Sequence, residues 1–252
     1  MIMEEIAILD IINKVENQVP ANFGHFPHPP FEAVIPENSR QLAGYIDHTL
    51  LKPEATEEHI LELCDEAERY RFTAVCVHPC WVAMCKSRLP HSEVKICSVA
   101  GFPLGANDSM MKAHEARKAV QDGADEIDMV INIGRLKMGD YLYVYKEIKE
   151  LVDESRPAII KVILETCLLS PDEIVAGCVI CKMAGVHYVK TSTGFSTSGA
   201  RAEDIALMRR VVGQDIGVKA AGGIRNRETA LEMIKAGATR IGTSAGIKIV
   251  TE

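Results

Sequence analysis

The sequence predicts an α/β fold, a (β/α)8 TIM barrel carrying an N-terminal helical and Pro-rich arm. Three observations predict it. From residue 40 onward, short β-branched apolar runs alternate with helix-length stretches, and eight such units follow one another. Alternating strand–helix units build a parallel sheet. Helix ends also share one punctuation: Gln121-Asp122-Gly123-Ala124-Asp125, Met183-Ala184-Gly185-Val186-His187 and Lys235-Ala236-Gly237-Ala238-Thr239 each run from helix through glycine into strand. Glycine takes the left-handed conformation that ends a helix at little cost. Finally, eight units in about 210 residues suit a closed barrel. A doubly wound open sheet is the other arrangement. No G-x-G-x-x-G opens a helix, so no dinucleotide cofactor is expected.

The elements follow in order. Residues 2–18 place Ile2, Ile6, Leu9, Ile12 and Val15 at helical spacing, which predicts an amphipathic helix. Residues 20–36 carry five prolines and read as an extended, wrapped segment. Its aromatics, Phe23, Phe26 and Phe31, are expected to pack against the barrel or another subunit. These two stretches make an arm of residues 1–40, and the barrel is expected over 41–252. Strands are predicted at 44–49, 73–77, 94–99, 125–131, 159–164, 186–190, 216–219 and 240–242. Helices are predicted at 56–70, 79–88, 109–121, 141–154, 171–184, 202–212 and 227–236. Ser170-Pro171-Asp172-Glu173 is a helix start, with a hydroxyl cap followed by proline in the first turn.

Composition narrows the partners. The chain is 47% hydrophobic and 25% charged with a net charge of −7, and it has no Lys/Arg block. Nucleic acid is not an expected partner. No apolar run has the length of a membrane span, so no membrane partner is expected. Met1 to Asp10 lacks a basic segment and does not read as a signal peptide. The eight cysteines read as free thiols of a reducing cytoplasm. Cys178-x-x-Cys181 and the group Cys76, His78, Cys80 read as structural thiols, so no metal is expected.

In a barrel, chemistry sits at the C-terminal ends of the strands. Those positions are Asp47, Cys76, Asp128, Glu165, Lys190 and Lys219. Lys161, Lys190 and Lys219 fall on strands five, six and seven, which are neighbours in a barrel. Clustered ammonium groups repel, and repulsion is expected to lower the pKa of at least one of them. A neutral amine attacks carbonyls. Asp128 can shuttle a proton or hold one of the cations. The loops after strands seven and eight read Lys219-Ala220-Ala221-Gly222-Gly223-Ile224 and Gly242-Thr243-Ser244-Ala245-Gly246. Glycine-rich turns at these positions favour a phosphorylated small molecule. Together the groups point to imine chemistry on a sugar phosphate.

Five stretches then carry a family resemblance. Asp47-His48-Thr49-Leu50-Leu51-Lys52-Pro53, Gly101-Phe102-Pro103-Leu104-Gly105, Gly123-Ala124-Asp125-Glu126-Ile127-Asp128-Met129-Val130, Val189-Lys190-Thr191-Ser192-Thr193-Gly194-Phe195 and Val218-Lys219-Ala220-Ala221-Gly222-Gly223-Ile224-Arg225 resemble the motifs of the deoxyribose-phosphate aldolase family. The resemblance spans about residues 42 to 250 in order. It implies a metal-independent class I aldolase that reversibly cleaves 2-deoxy-D-ribose 5-phosphate to D-glyceraldehyde 3-phosphate and acetaldehyde. It gives Lys190 the imine, Lys219 the part of second lysine, and Asp128 that of paired acid/base. Asp47, Cys76 and Lys161 would line the pocket, and Gly194, Gly222, Gly223, Gly242 and Ser244 the phosphate turns. No cofactor is implied, and a homodimer or homotetramer is. Phe195 stands where some members have a lysine, and Ala245 where some have a second serine. Some members end in a tyrosine-bearing tail, and this sequence ends Val250-Thr251-Glu252.

Overall fold

The structure, a computed structural model, describes residues 3–252. Ile2, the first apolar position of the expected N-terminal helix, lies outside the described residues. Eight parallel strands close on themselves in sequence order: β1 Ile46–Thr49, β2 Ala74–Val77, β3 Lys95–Ala100, β4 Glu126–Val130, β5 Ile159–Ile163, β6 Tyr188–Lys190, β7 Gly217–Ala221 and β8 Arg240–Thr243. β8 pairs with β1 through Asp47 opposite Gly242, which excludes the open sheet.

The helices are α1 Glu5–Glu16, α2 Ser39–Ala43, α3 Glu57–Tyr70, α4 Val82–Arg88, α5 Ser109–Gln121, α6 Ile133–Lys137, α7 Tyr141–Glu154, α8 Pro171–Ala184, α9 Ala202–Val212, α10 Arg227–Lys235 and α11 Gly246–Thr251. α8 begins with the full capping box expected at Ser170. The Ser170 hydroxyl accepts from the Glu173 N–H, and the Glu173 carboxylate accepts from the Ser170 N–H at 2.7 Å. It ends at Gly185 with φ of 82°. The helix expected over 79–88 opens instead as a 3₁₀ turn, Pro79–Trp81, before α4. Three short helices, α2, α6 and α11, were absent from the sequence reading. None exceeds six residues, too few to display a helical period.

The arm lies on the barrel wall, with α1 against α8. The face that α1 buries is Ile8, Ile11, Ile12 and Val15. The sequence reading placed Ile6 and Leu9 on that face, whereas both are exposed, Ile6 by 70%. Alternative helical stripes overlap in so isoleucine-rich a segment, and the position of α8 selects between them. Burying each of these side chains contributes about 2 kcal/mol. The aromatics of the arm pack on the same chain's barrel. Phe23 is buried under the Lys182 ammonium, 4.8 Å from its ring, and Phe31 stacks on the Arg209 guanidinium at 4.3 Å. α2 straddles the expected arm–barrel boundary at residue 40 and packs against α11.

One buried ion pair ties the outer helices to β4. Lys112 of α5 donates to Glu147 of α7 at 2.8 Å and to the Val130 carbonyl at 2.9 Å. The second Glu147 oxygen accepts from the Asn132 N–H at 3.0 Å. Burial lowers the Lys112 pKa and raises that of Glu147, and each charge offsets part of the cost of the other. Lys112→Met would strand a buried carboxylate, with an expected loss of about 3–5 kcal/mol in urea unfolding. Lys112→Met combined with Glu147→Leu should recover most of that loss. A single variant as stable as the parent would show that the pair does not fasten α5 and α7 to β4.

Candidate active site

Alternation along each strand sends every second side chain into the barrel. On β4 these are Glu126 and Asp128, on β8 Arg240 and Gly242. One half of the interior is lined by apolar groups and thiols, where Leu51, Ala74, Cys76, Cys97 and Val99 form a cluster under Phe102. The other half holds Asp47, Glu126, Asp128, Lys161, Lys190, Lys219 and Arg240, all buried.

Asp128 is the hub. Its Oδ1 accepts from Lys161 at 2.7 Å, and its Oδ2 accepts from both Lys190 and Lys219 at 2.7 Å. Lys219 also pairs with Asp47, and Lys161 with Glu126 at 2.6 Å. The three lysines are neighbours around the barrel, as expected, but not at one depth. Lys190 stands opposite Lys219 on β7 and opposite Ile163 on β5, so Lys161 lies two residues deeper. Lys190 and Lys219 therefore both lie nearer the mouth than Lys161, and Asp128 is the carboxylate partner of Lys190 among the described residues.

The expected loss of charge by repulsion does not hold for Lys161 and Lys219. Burial opposes the charge on Lys219, but Asp128 and Asp47 overcome it and hold its pKa above the ordinary lysine value. Lys161 is likewise raised, with burial outweighed by Asp128, Cys97, Glu126 and Asp47. The carboxylates respond in kind. Burial opposes ionisation of Asp128, yet Lys161, Lys190 and Lys219 hold it well below the carboxylate range. Asp47, against burial, is drawn down to about 2 by Lys219, Arg240 and Lys161. Sequence reading placed the lysines with two aspartates, Asp47 and Asp128, and left out Glu126. It missed that the carboxylates are distributed among them.

Cys76 does not touch a lysine within hydrogen-bond distance. It faces Cys97 across the β2–β3 register, and the two sulfurs and an Asp128 oxygen lie within 4.8 Å of one another. Three such ligand atoms could grip a metal. The Lys161 ammonium already occupies that corner, 3.2 Å from the Cys97 sulfur. The hydrogen bond with Cys97 lowers the Cys76 pKa, while burial pushes Cys97 well above the usual thiol value.

The glycines separate into two groups. Gly194, Gly222 and Gly223 all have positive φ and belong to adjacent loops after β6 and β7. The Ala200 N–H donates to the Ala221 and Gly222 carbonyls at 3.1 Å, which closes these loops together. A Cβ at Gly222 would stand 2.9 Å from Gly199 Cα and 3.5 Å from Gly194 Cα. Gly242 is not in a turn. It lies within β8 facing Lys219, and a Cβ there would come 3.0 Å from Lys219 Cε. Ser244 is exposed and lines a separate groove of about 440 Å³ with Thr49, Lys52 and His59.

Glu165 fixes the loop that follows Lys190. It is a non-glycine residue at φ of 59°, a conformation that costs about 1 kcal/mol or more. Its carboxylate accepts from the Thr193 hydroxyl and from the Thr193 N–H at 3.2 Å. Beyond it, Phe195 meets Phe102 edge-to-face at 5.3 Å across the mouth. Phe102, Cys97, Glu126 and Arg240 escaped the sequence reading as site residues. Glu126 and Arg240 had a signal, since each lies two residues before an inward position on its strand.

A parallel barrel with an inward lysine beside a second lysine and a shared carboxylate offers the groups that Schiff-base aldol chemistry needs. Comparison with known proteins agrees. The chain belongs to the DeoC/LacD family of aldolases, whose model matches residues 42–251. It is 55% identical over 210 residues to a deoxyribose-phosphate aldolase of Clostridium botulinum, covering 83% of this chain and 99% of that protein. A Streptococcus sanguinis deoxyribose-phosphate aldolase is also 55% identical, over 83% of this chain and 96% of its own. The structure of deoxyribose phosphate aldolase from Aeropyrum pernix, described as a unique tetramer, superposes with a TM-score of 0.80 at 31% identity and covers 96% of both chains. At 96% of this chain, the Aeropyrum match extends over most of the arm.

Gly242→Ala would press a methyl group against Lys219. Turnover is expected to fall by about 10- to 100-fold through displacement of that ammonium, with thermal stability little changed. Parental turnover in that variant would show that Gly242 does not set the position of Lys219.

Proposed function

We propose that this protein reversibly cleaves 2-deoxy-D-ribose 5-phosphate to D-glyceraldehyde 3-phosphate and acetaldehyde, with Lys190 as the nucleophile. The observation that carries this reading is the sharing of Asp128 Oδ2 by Lys190 and Lys219, each at 2.7 Å, below the mouth of the barrel. The Lys190 amine adds to the aldehyde carbon, and loss of water gives a protonated imine. Removal of the proton from the C3 hydroxyl breaks the C2–C3 bond. Its electron pair passes to the imine, which becomes an enamine, and glyceraldehyde 3-phosphate leaves. Protonation of the enamine at C2 and hydrolysis then free acetaldehyde and the amine. Asp128 and Lys219 form the proton relay, because a carboxylate between two amines can pass a proton to either.

The other assignments follow the same reading. Lys161, Asp47 and Cys76 shape the pocket floor and wall. Gly194, Gly222 and Gly223 present backbone N–H groups to the phosphate. Gly242 and Ser244 contribute at the β8 end, Gly242 by leaving room for Lys219. Phe102 and Phe195 shelter the imine from water. No cofactor or metal takes part in this scheme. A homo-oligomer, dimer or tetramer, is part of the proposal, and the tetrameric description of the Aeropyrum relative supports it. The proposed location is the cytoplasm. No described helix is long and apolar enough to cross a membrane.

Borohydride reduction in the presence of acetaldehyde, followed by peptide mapping, should place the adduct on Lys190. Lys190→Arg should lose nearly all turnover, since a guanidinium keeps its proton, and EDTA should leave the parent's activity intact. An adduct on Lys161 or Lys219 instead would overturn the assignment.

A further inference from the structure

Below the reacting lysine lies a second layer of charge that the scheme above does not use. Arg240 reaches from β8 across the barrel floor. Its Nε donates to Asp47 Oδ1 at 2.7 Å, and its Nη2 donates to Glu126 Oε2 at 2.8 Å. Glu126 also accepts from Lys161 at 2.6 Å. The inward-facing Gly217 leaves space that the Tyr188 ring fills beside the Arg240 guanidinium, 5.8 Å away. Arg240 is buried, and its guanidinium keeps its proton throughout the working pH range.

Counting charges gives this layer a function. The connected network holds three carboxylates, Asp47, Glu126 and Asp128, and four basic groups, Lys161, Lys190, Lys219 and Arg240. Arg240, Lys161 and Lys219 together balance the three carboxylates. Each of them touches two or more carboxylates. Lys190 touches Asp128 alone, through an oxygen it shares with Lys219. A buried excess charge is costly in a low-dielectric interior, and the excess falls on the group with the fewest partners.

We propose that Arg240 and Glu126 are positioning residues that set the charge count of the barrel interior and so make Lys190 the amine that gives up its proton to become the nucleophile. This inference rests on Lys190 being the imine-forming residue. The other titratable groups around Lys190 are Cys76 on β2, Cys97 on β3, Tyr188 on β6 and Glu165 after β5. None of them is ion-paired with the seven groups of the network, and Glu165 is turned to Thr193.

The signs can be worked out. Arg240→Gln removes a positive charge, so the proton on Lys190 is held more firmly. The acidic limb of the kcat/KM profile, and of the borohydride-trapping rate with acetaldehyde, should move to higher pH by about one unit, a tenfold loss at a fixed pH below the limb. Glu126→Gln removes a negative charge and should move both limbs to lower pH by a similar amount. The double variant restores the balance and should return both limbs toward the parent. Arg240→Lys keeps the charge and should keep the parental limb. Uniform loss of rate at every pH, with unshifted limbs in Glu126→Gln and Arg240→Gln, would overturn the proposal and leave a purely structural role. If Arg240→Gln does not fold, the direction of the Glu126→Gln shift decides between the two. Failure of the parent to form an adduct on Lys190 would instead refute the aldolase reading itself.

Discussion

Asp128 accepts hydrogen bonds from three lysine side chains inside a closed barrel, and most of the interior is arranged around that fact. A carboxylate so buried is unstable alone, and three buried ammonium groups without it would repel one another. Together they are mutually supporting, provided that further carboxylates share the load. Asp47 and Glu126 do so from β1 and β4, and Arg240 joins them from β8. The charged groups are held by opposite strands, so barrel closure and charge pairing depend on each other. An open sheet could not bring β1 and β8 together with β4.

The outer layers serve that arrangement. The Lys112–Glu147 pair grips the backbone just after β4, the strand that carries Asp128. Glu165 holds Thr193 and so fixes the loop that Lys190 opens into. Strain at Glu165 is thus spent where loop geometry matters, in a pattern common at functional sites. The arm adds a layer of isoleucine and phenylalanine over α8. Among the described residues, its outer face leaves Ile6, Val34 and Ile35 exposed.

The interior is divided between two chemistries. Thiols and aliphatic groups line β2 and β3, and charged groups line β4 to β8 and β1. An acetaldehyde-sized fragment on Lys190 would have the charged relay on one side and an apolar wall on the other. That division favours an imine, which needs both proton transfer and shelter from water.

The residues alone determined the order of the strands, the barrel and the lysines on neighbouring strands. They did so because hydrophobic period, glycine stops and helix caps are local signals that survive in one dimension. Motif likeness added the roles expected of Lys190, Lys219 and Asp128. Only the tertiary structure decided the depth of Lys161, the turning of Gly242 toward Lys219, and the stripe by which α1 is buried. Each of these depends on register between distant segments, or on a neighbour supplied from elsewhere in the chain. The part of Arg240 and Glu126 belongs to the same class. A charged residue in an apolar strand is visible in sequence, but its partners across a closed barrel are not, because electrostatic pairing is set by distance in space.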